Sequence, residues 1–254
     1  MSIKEKVVEN LIEKSFNDLV SLLINNRTNE NLIFPKYRDE TVRYSEQELR
    51  QFFLKNVETQ ENNDNKIYFY SVETPTKLVY RFTNTEMPLV KENHEKDDKY
   101  ESARFDVSLY SKNNKDDLLT HVEFKYGNPD KKSGICKDFL KLVSEVKFTN
   151  EKKNFFVHYL CVKTEKGWES RTFPSLFSKY LDSVADIIKS DLINEEDLSK
   201  VTVYLLCIFE EPEAESEPKI ASAYHFSLAD LKNYKVRTKY SDLTDKSWLN
   251  EELI

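Results

Sequence analysis

The chain contains few glycines and few cysteines, and each shortage excludes a class of protein. Its three glycines, Gly127, Gly134 and Gly167, are too far apart to form the phosphate-binding loop of a Rossmann or P-loop protein. Its three cysteines show no C-x-x-C spacing, so neither a disulfide framework nor a zinc site is expected. The four histidines form no H-x-x-x-H pair. A reducing, cytoplasmic location is therefore the expectation.

Long apolar runs and an excess of positive charge are also missing. No apolar run approaches the roughly 20 residues that a membrane-spanning helix needs, and the N-terminal segment MSIKEKVVEN lacks the apolar core of a signal peptide. The formal net charge is −7. This charge does not exclude a nucleic-acid partner, because the affinity for phosphates depends on the local electrostatic field and not on the net charge of the chain. The stretch from Lys125 to Lys153 contains eight lysines and four acidic residues, so it is locally basic.

The composition is that of a folded protein, with 39% hydrophobic and 33% charged residues. A chain of 254 residues can bury a substantial core. We expect a single domain over residues 1–254, with a core at about 44–162, an N-terminal helix at 3–25 and a C-terminal extension at 163–254.

The central stretch, residues 101–128, reads as two strands joined by a polar turn at 113–116. Apolar Phe105, Val107 and Leu109 alternate with polar residues in the first strand, and Val122 and Phe124 do so in the second. Each strand is therefore expected to have one apolar face and one charged face. A hairpin symmetric about residues 114 and 115 pairs Asp106 with Glu123 on the same face.

Two carboxylates opposed in this way, with Cβ atoms roughly 5 Å apart, repel each other. A divalent cation offsets such repulsion, and hard oxygen ligands suit Mg²⁺ or Mn²⁺. Lys125 projects from the same face as Glu123, where it can polarise a water molecule or hold a phosphate oxygen. His121 shares this face as well, with a structural role favoured for it.

An Asp on one strand followed by Glu-x-Lys on the next resembles the motif of the PD-(D/E)XK nuclease superfamily. Asp106, Glu123 and Lys125 carry the resemblance, and Phe105 stands where the motif has Pro. The resemblance implies a mixed α/β fold, a restriction-endonuclease-like αβββαβ core. It also implies that Asp106, Glu123 and the backbone carbonyl of Phe124 bind Mg²⁺ or Mn²⁺, and that Lys125 orients or helps to deprotonate the attacking water.

A second helix is predicted to begin after Ser45, because Ser45 and Glu48 have the spacing of a capping box. Members of the superfamily commonly place an acidic residue on the helix before the sheet, close to the metal. The resemblance therefore makes Glu48 the candidate for a further catalytic residue, with Glu46 as the alternative. Glu73, in the next predicted turn, is a weaker candidate.

The remaining pattern predicts the other elements of such a core. We expect a hairpin with strands at 66–72 and 77–82, a helix at 135–146 and a strand at 154–162. Beyond the core, the pattern predicts a helix at 174–189, a buried strand at 201–209 and a short helix at 227–233. The acidic segment 210–218 is expected to be an exposed loop facing away from any nucleic acid.

The resemblance implies a metal-dependent nuclease that hydrolyses phosphodiester bonds, with DNA favoured over RNA. The Lys- and Asn-rich composition is typical of AT-rich microbial or phage genomes, so a role in defence or restriction is expected. Two alternatives remain open. One is a catalytically inactive nuclease fold that serves as a binding or assembly module with a protein partner, and the other is an RNA-directed nuclease.

Overall fold

The computed structural model describes residues 3–25, 32–59, 68–81, 89–91, 101–150, 152–209 and 219–233. These residues form a mixed α/β structure in which helices flank a seven-stranded sheet. The predicted fold class is confirmed. The finer αβββαβ assignment and the division into core and extensions stay predictions.

The helices lie in two groups along the chain, before and within the series of strands. They are α1 (Ile3–Asn25), α2 (Glu46–Thr59), α3 (Ser133–Glu145), the single turn α4 (Glu165–Gly167) and α5 (Phe173–Ile187). The predicted N-terminal helix at 3–25 is confirmed by α1. The predicted helix after Ser45 is confirmed by α2.

The strands are β1 (Tyr68–Arg81), β2 (Leu89–Lys91), β3 (Glu101–Ser111), β4 (Asn114–Tyr126), β5 (Asn154–Val162), β6 (Val201–Phe209) and β7 (Lys219–Ser227). Their order across the sheet is β2-β1-β3-β4-β5-β6-β7. The pairs β4–β5 and β5–β6 are parallel, and the other neighbours are antiparallel. Helix α3 makes the first parallel crossover and α5 lies in the second, as parallel neighbours require.

Two hydrophobic cores lie on opposite faces of the sheet. Helices α1 and α2 cover one face, where Phe16, Phe53 and Val122 are fully buried. Helices α3 and α5 cover the other face, where Phe139, Phe156 and Tyr180 are fully buried. Successive residues of β5 alternate between these cores, so this strand is buried on both sides.

The predicted hairpin at 66–82 is wrong, because β1 is one continuous strand. The residues that indicate a turn instead form an irregularity between Pro75 and Val79, where the pairing with β3 shifts. The buried carboxylate of Glu145 accepts hydrogen bonds from the backbone N–H groups of Lys77 (3.0 Å) and Leu78 (2.7 Å). A side chain of α3 thus replaces the ladder partners that these residues lack.

The predicted register of the central hairpin is confirmed at three pairs, of which the first is Val107 with Val122. The turn begins one residue earlier than predicted and is shorter, at Lys112 and Asn113. Two register shifts near Tyr110 reconcile the short turn with the predicted pairing.

The predicted apolar face of β3 is wrong at its first residue. Val107 and Leu109 lie in the core beneath α1 and α2, whereas Phe105 lies in the core beneath α3 and α5. The ring of Phe105 stacks on His121 with 3.8 Å between centroids. Regular alternation therefore breaks between Phe105 and Val107, at the position of Asp106.

The predictions for the second half of the chain are largely confirmed. The strands at 154–162 and 201–209 have the predicted bounds, and the helix predicted at 174–189 is α5. The short helix predicted at 227–233 is a 3-10 turn at Asp230–Asn233. Strand β7, which no pattern predicted, pairs with β6. The acidic segment 210–218 lies outside the described residues.

Across the ranges that the structure describes, no helix has both the length and the apolar character needed to cross a membrane.

Candidate active site

The three residues of the predicted motif meet where β4 approaches its carboxyl end. Glu123 interacts electrostatically with both Asp106 and Lys125. Open α/β sheets bind ligands beyond the carboxyl ends of their parallel strands, and β4 is the first parallel strand of this sheet. The location is therefore one at which a substrate can reach the motif.

Asp106 is held by the backbone of the neighbouring strand. The paired residues of β3 and β4 end at Val107 and Val122, one residue short of Asp106. Beyond that point the Asp106 carboxylate accepts a 2.8 Å hydrogen bond from the N–H of Phe124. Its other oxygen lies 3.4 Å from the Arg50 guanidinium of α2. The Asp106 side chain is 18% exposed, so it remains open to a ligand.

Glu123 forms a buried ion pair with Lys141 of α3, at 2.5 Å. Both side chains are at most 6% exposed. The Lys141 ammonium also donates to the backbone carbonyl of Arg104 at 2.8 Å. The carboxylate that the resemblance assigns to the metal is thus already balanced by a cation of the protein.

Lys125 is held by Asp138, one turn before Lys141 on α3. The two carboxylate oxygens of Asp138 lie 3.1 Å from the Lys125 ammonium and 3.4 Å from that of Lys141. Lys125 is 25% exposed and is the most accessible of these charged groups. Asp138 therefore orients the lysine that a substrate would meet first.

Helix α2 contributes Glu46 to this group and not Glu48. The Glu48 carboxylate accepts hydrogen bonds from the backbone N–H (3.0 Å) and hydroxyl (2.8 Å) of Ser45, which closes the predicted capping box. Glu46 interacts electrostatically with Asp106 and Lys125. The structure thus places the alternative candidate beside the motif and the preferred one at the helix cap. Glu73 contacts Arg50 at 3.2 Å, so it reaches Asp106 only through that arginine.

Burial and crowding of negative charge perturb the carboxyl groups of the site. Burial raises the pKa of Glu123 well above its ordinary value, against the opposing effect of Lys141 and with further increases from Asp138 and Asp106. Burial also raises the pKa values of Asp106 and Glu46. Burial alone would lower the pKa of Lys125, but Asp138 reverses this and the pKa is raised. The site therefore accommodates added positive charge.

No protein-family model matches this chain, and no curated protein matches it significantly. The geometry of the site is therefore the basis for its interpretation.

The donor set fits a magnesium or manganese ion in chemistry but is small. Mg²⁺ in proteins is usually held by one or two carboxylates, with waters and substrate phosphates completing its shell. Asp106 and Glu123 supply two carboxylates, and Glu46 is nearby. In the described part of the chain, no three His, Cys, Asp or Glu side chains are grouped as a metal site. A bound ion would thus depend on water and substrate for most of its ligands.

Sequence reasoning missed three charged residues of the site, Arg50, Asp138 and Lys141. A signal for two of them was present, because Asp138 and Lys141 lie three residues apart within the apolar stripe of α3. Charged side chains at core-facing positions are rarely buried unless they are paired. Arg50 lies four residues after Glu46, on the same face of α2.

The chain immediately after Lys125 is fixed by a buried histidine. His158 of β5 lies with Nε2 2.6 Å from the Gly127 carbonyl and Nδ1 2.5 Å from the Tyr180 hydroxyl. Because a carbonyl only accepts, Nε2 carries the proton and Nδ1 accepts from Tyr180. Gly127 has φ of +76°, a conformation that favours glycine, so this contact fixes the turn that ends β4.

Replacing His158 with phenylalanine is expected to cost about 1–3 kcal/mol of unfolding free energy at pH 7, because Tyr180 and Gly127 lose a buried partner. The cost should shrink at pH 5. Burial lowers the pKa of His158 to about 3, so below the ordinary value of 6.5 the unfolded state binds a proton that the native state does not. The contribution of this group to wild-type stability therefore decreases as the pH is lowered below 6.5, by about 1.4 kcal/mol per pH unit. Urea unfolding at both pH values measures the difference.

Tyr180→Phe is the matched control for this prediction. It removes one hydrogen bond but keeps His158 buried, so it should retain the wild-type pH dependence. An equal cost of His158→Phe at pH 7 and pH 5 would contradict the assignment of a neutral histidine.

Proposed function

We propose that the protein is a divalent-metal-dependent nuclease that hydrolyses phosphodiester bonds, with DNA favoured over RNA and a role in defence or restriction. The observation that carries this proposal is the meeting of Asp106, Glu123 and Lys125 at one end of the sheet, where the Asp106 carboxylate bonds to the backbone N–H of the residue between the other two. Three residues from two strands, spaced as the PD-(D/E)XK motif requires, approach one another there. A purely structural hairpin has no need for this combination.

Each residue has a role that its surroundings support. Asp106 and Glu123, with the backbone carbonyl of Phe124, would hold Mg²⁺ or Mn²⁺. The ion, when bound, supplies Lewis acidity toward the phosphoryl oxygen and lowers the pKa of a water ligand. Lys125 reaches solvent at the site and would orient the attacking water and balance negative charge that develops on the phosphate. Asp138 holds the Lys125 ammonium in place.

Glu46 is the residue of α2 best placed to assist. Its carboxyl is close enough to Asp106 and Lys125 to interact with both. It can accept a hydrogen bond from a water molecule at the site or add a further oxygen ligand. Glu48 is not assigned this role, since capping occupies its carboxylate.

One observation favours the second candidate, a catalytically inactive module that binds a nucleic acid or a protein. Glu123 is paired with Lys141 and Asp106 with Arg50, so cations of the protein already contact both proposed metal ligands. Such internal pairing is what a site that has lost its metal would retain. Metal binding separates the two candidates.

Calorimetric titration of Mn²⁺ is expected to show binding to the wild-type protein and loss of binding in Asp106→Asn. The substitution keeps the size of the side chain but removes one negative ligand from a site with few ligands. Asp186→Asn is the matched control, because the Asp186 side chain is 20% exposed and Asp106 is 18% exposed, yet Asp186 lies outside the site. It should bind Mn²⁺ as the wild type does.

Two results would count against the active nuclease. Absence of Mn²⁺ binding to the wild type at millimolar metal would favour the inactive module. Equal binding by the wild type and Asp106→Asn would place the ion elsewhere.

A further inference from the structure

A pocket lies on the same sheet as the candidate active site, and its lining includes none of the charged residues of that site. The pocket has a volume of about 960 Å³ and lies between β1, the β3–β4 hairpin and the segment that follows α3. This volume is at the upper end of the range for small-molecule sites. Its lining includes no residue of the motif.

Aromatic rings line the walls of the pocket. They belong to Phe69, Tyr70, Tyr110 and Phe148. Phe148 is 37% exposed, although a large apolar side chain is usually covered in a folded protein. The ammonium of Lys115 lies over the Phe69 ring, 4.6 Å from its centroid. The walls thus offer flat apolar surfaces next to positive charge.

Several polar groups of the lining have no partner within the described residues. The most buried is His121, which is 1% exposed and whose Nε2 makes no hydrogen bond. Its other ring nitrogen lies 2.7 Å from the Ser108 hydroxyl, which can donate or accept. A buried polar atom without a partner normally has a ligand or water to satisfy it.

The other polar groups differ in their availability. The Asn150 carboxamide and the Lys77 ammonium have no hydrogen-bonding partner in the described part of the chain. Glu145 also lines the pocket, but its carboxylate is satisfied by the backbone of β1. Asp116 adds one negative charge at the rim, against Lys77 and Lys115. The free groups therefore suit a planar heteroaromatic ring joined to an anion.

We propose that this pocket binds one unpaired base of a nucleic-acid strand, so that the substrate of the proposed nuclease is single-stranded next to the cut. The proposal rests on the proposed function for the position of the cut. His121 lies two residues before Glu123 on the same face of β4, about 7 Å along the strand. A base in the pocket would therefore lie beside the site that holds its phosphodiester bonds.

The chemistry of an unpaired base matches the lining. Aromatic rings stack on every base, because each base has an apolar π face. The unpartnered Nε2 of His121 can pair with the base edge as its tautomer requires, and Asn150 presents both a donor and an acceptor, so the base edge can be paired without a strict sequence requirement. Lys77 and Lys115 suit the phosphates on either side. A base inside a duplex offers neither its faces nor its pairing edge to such a pocket.

The test is fluorescence anisotropy with labelled DNA and RNA strands of about 16 nucleotides, each single-stranded and as a duplex, in EDTA so that no cleavage occurs. Phe148→Ser is expected to weaken binding of the single strand at least about fivefold, the lower end of the effect of losing one base-stacking contact. Lys115→Glu is expected to weaken it as well, because the new carboxylate repels the phosphates. The wild type should bind duplexes more weakly than single strands.

Two matched controls lie outside the pocket. Leu192→Ser removes an apolar side chain of nearly equal exposure, 36% against 37% for Phe148. Lys112→Glu reverses a charge in the turn of the same hairpin as Lys115. Both should bind as the wild type does. Thermal unfolding of all four variants verifies that the fold is kept.

Several outcomes would overturn the proposal. These are binding by the pocket variants equal to that of the controls, absence of strand binding by the wild type, and binding of deoxyadenosine monophosphate as tight as that of a strand. Failure of the nuclease proposal gives a different result. The wild type would then not cleave with Mn²⁺, whereas the pocket variants would still bind the nucleic-acid strand more weakly than the wild type. If the pocket variants cleave as fast as the wild type, the pocket proposal is wrong and the nuclease proposal stands.

Discussion

Cleavage of labelled DNA by Lys125→Ala is expected to be about 10²–10⁴-fold slower than by the wild type, the usual range for loss of a group that assists proton transfer or charge balance. Lys125 is the most exposed cation of the site and the one that a phosphate can approach. The fold should be kept, because Asp138 retains Lys141 as a partner. Single-turnover cleavage in Mn²⁺ measures the effect.

Lys131→Ala is the matched control for this prediction, since Lys131 is an exposed lysine in the segment that follows β4. It should cleave at the wild-type rate. Thermal unfolding monitored by circular dichroism shows whether Lys125→Ala remains folded. A folded Lys125→Ala variant that cleaves as fast as the wild type would remove Lys125 from the mechanism.

Lys141→Met is expected to lower the free energy of unfolding by about 3–5 kcal/mol, because it leaves the Glu123 carboxylate buried without its cation. The Arg104 carbonyl loses its hydrogen bond in the same variant. The double variant Lys141→Met, Glu123→Gln should recover most of this loss, since neither remaining side chain is charged. Urea unfolding at neutral pH measures all three proteins.

The control for this prediction is Lys36→Met. Lys36 and Glu40 form an exposed ion pair, with side chains 57% and 81% accessible, and such pairs contribute about 0–1 kcal/mol. A loss in Lys141→Met as small as that in Lys36→Met would show that the Glu123 pair is not buried in solution. A double variant as unstable as the single one would show that packing, and not charge, dominates.

Local patterns predicted the elements whose reasons are local. Strands β5 and β6 have their predicted bounds because each is a continuous apolar run that the sheet buries on both faces. The register of β3 and β4 was predicted from a hairpin symmetric about residues 114 and 115, and it holds from the pair Val107 with Val122 to the pair Leu109 with Thr120. The capping box at Ser45 formed because its two partners are three residues apart.

The elements that were predicted wrongly or missed depend on contacts between residues far apart in the chain. Thr74, Pro75 and Thr76 are residues typical of a turn, yet β1 continues through them because Glu145, far along the chain, accepts from the backbone there. Strand β7 forms by pairing with β6, although no alternation marked it in the sequence.

The candidate site shows the same division. Asp106, Glu123 and Lys125 were predicted together, since one hairpin brings them close. Arg50 and Lys141 come from α2 and α3, and their approach depends on how those helices pack on the sheet. Resemblance alone made Glu48 the candidate on α2 and Glu46 the alternative. The structure shows the Glu48 carboxylate occupied by the capping bond and Glu46 close to the motif, which is why the proposal prefers Glu46.

Helix α3 links the two functional regions proposed for the protein. Asp138, Lys141 and Glu145 lie at intervals of three and four residues, on the face of α3 that meets the sheet. The first two hold the candidate active site, and the third holds the part of β1 that lines the pocket. From Asp138 to Glu145 the helix rises by about 10 Å. A nucleic-acid strand bound in the pocket would therefore lie at a nearly constant distance from Lys125, because two turns of one helix separate the two regions.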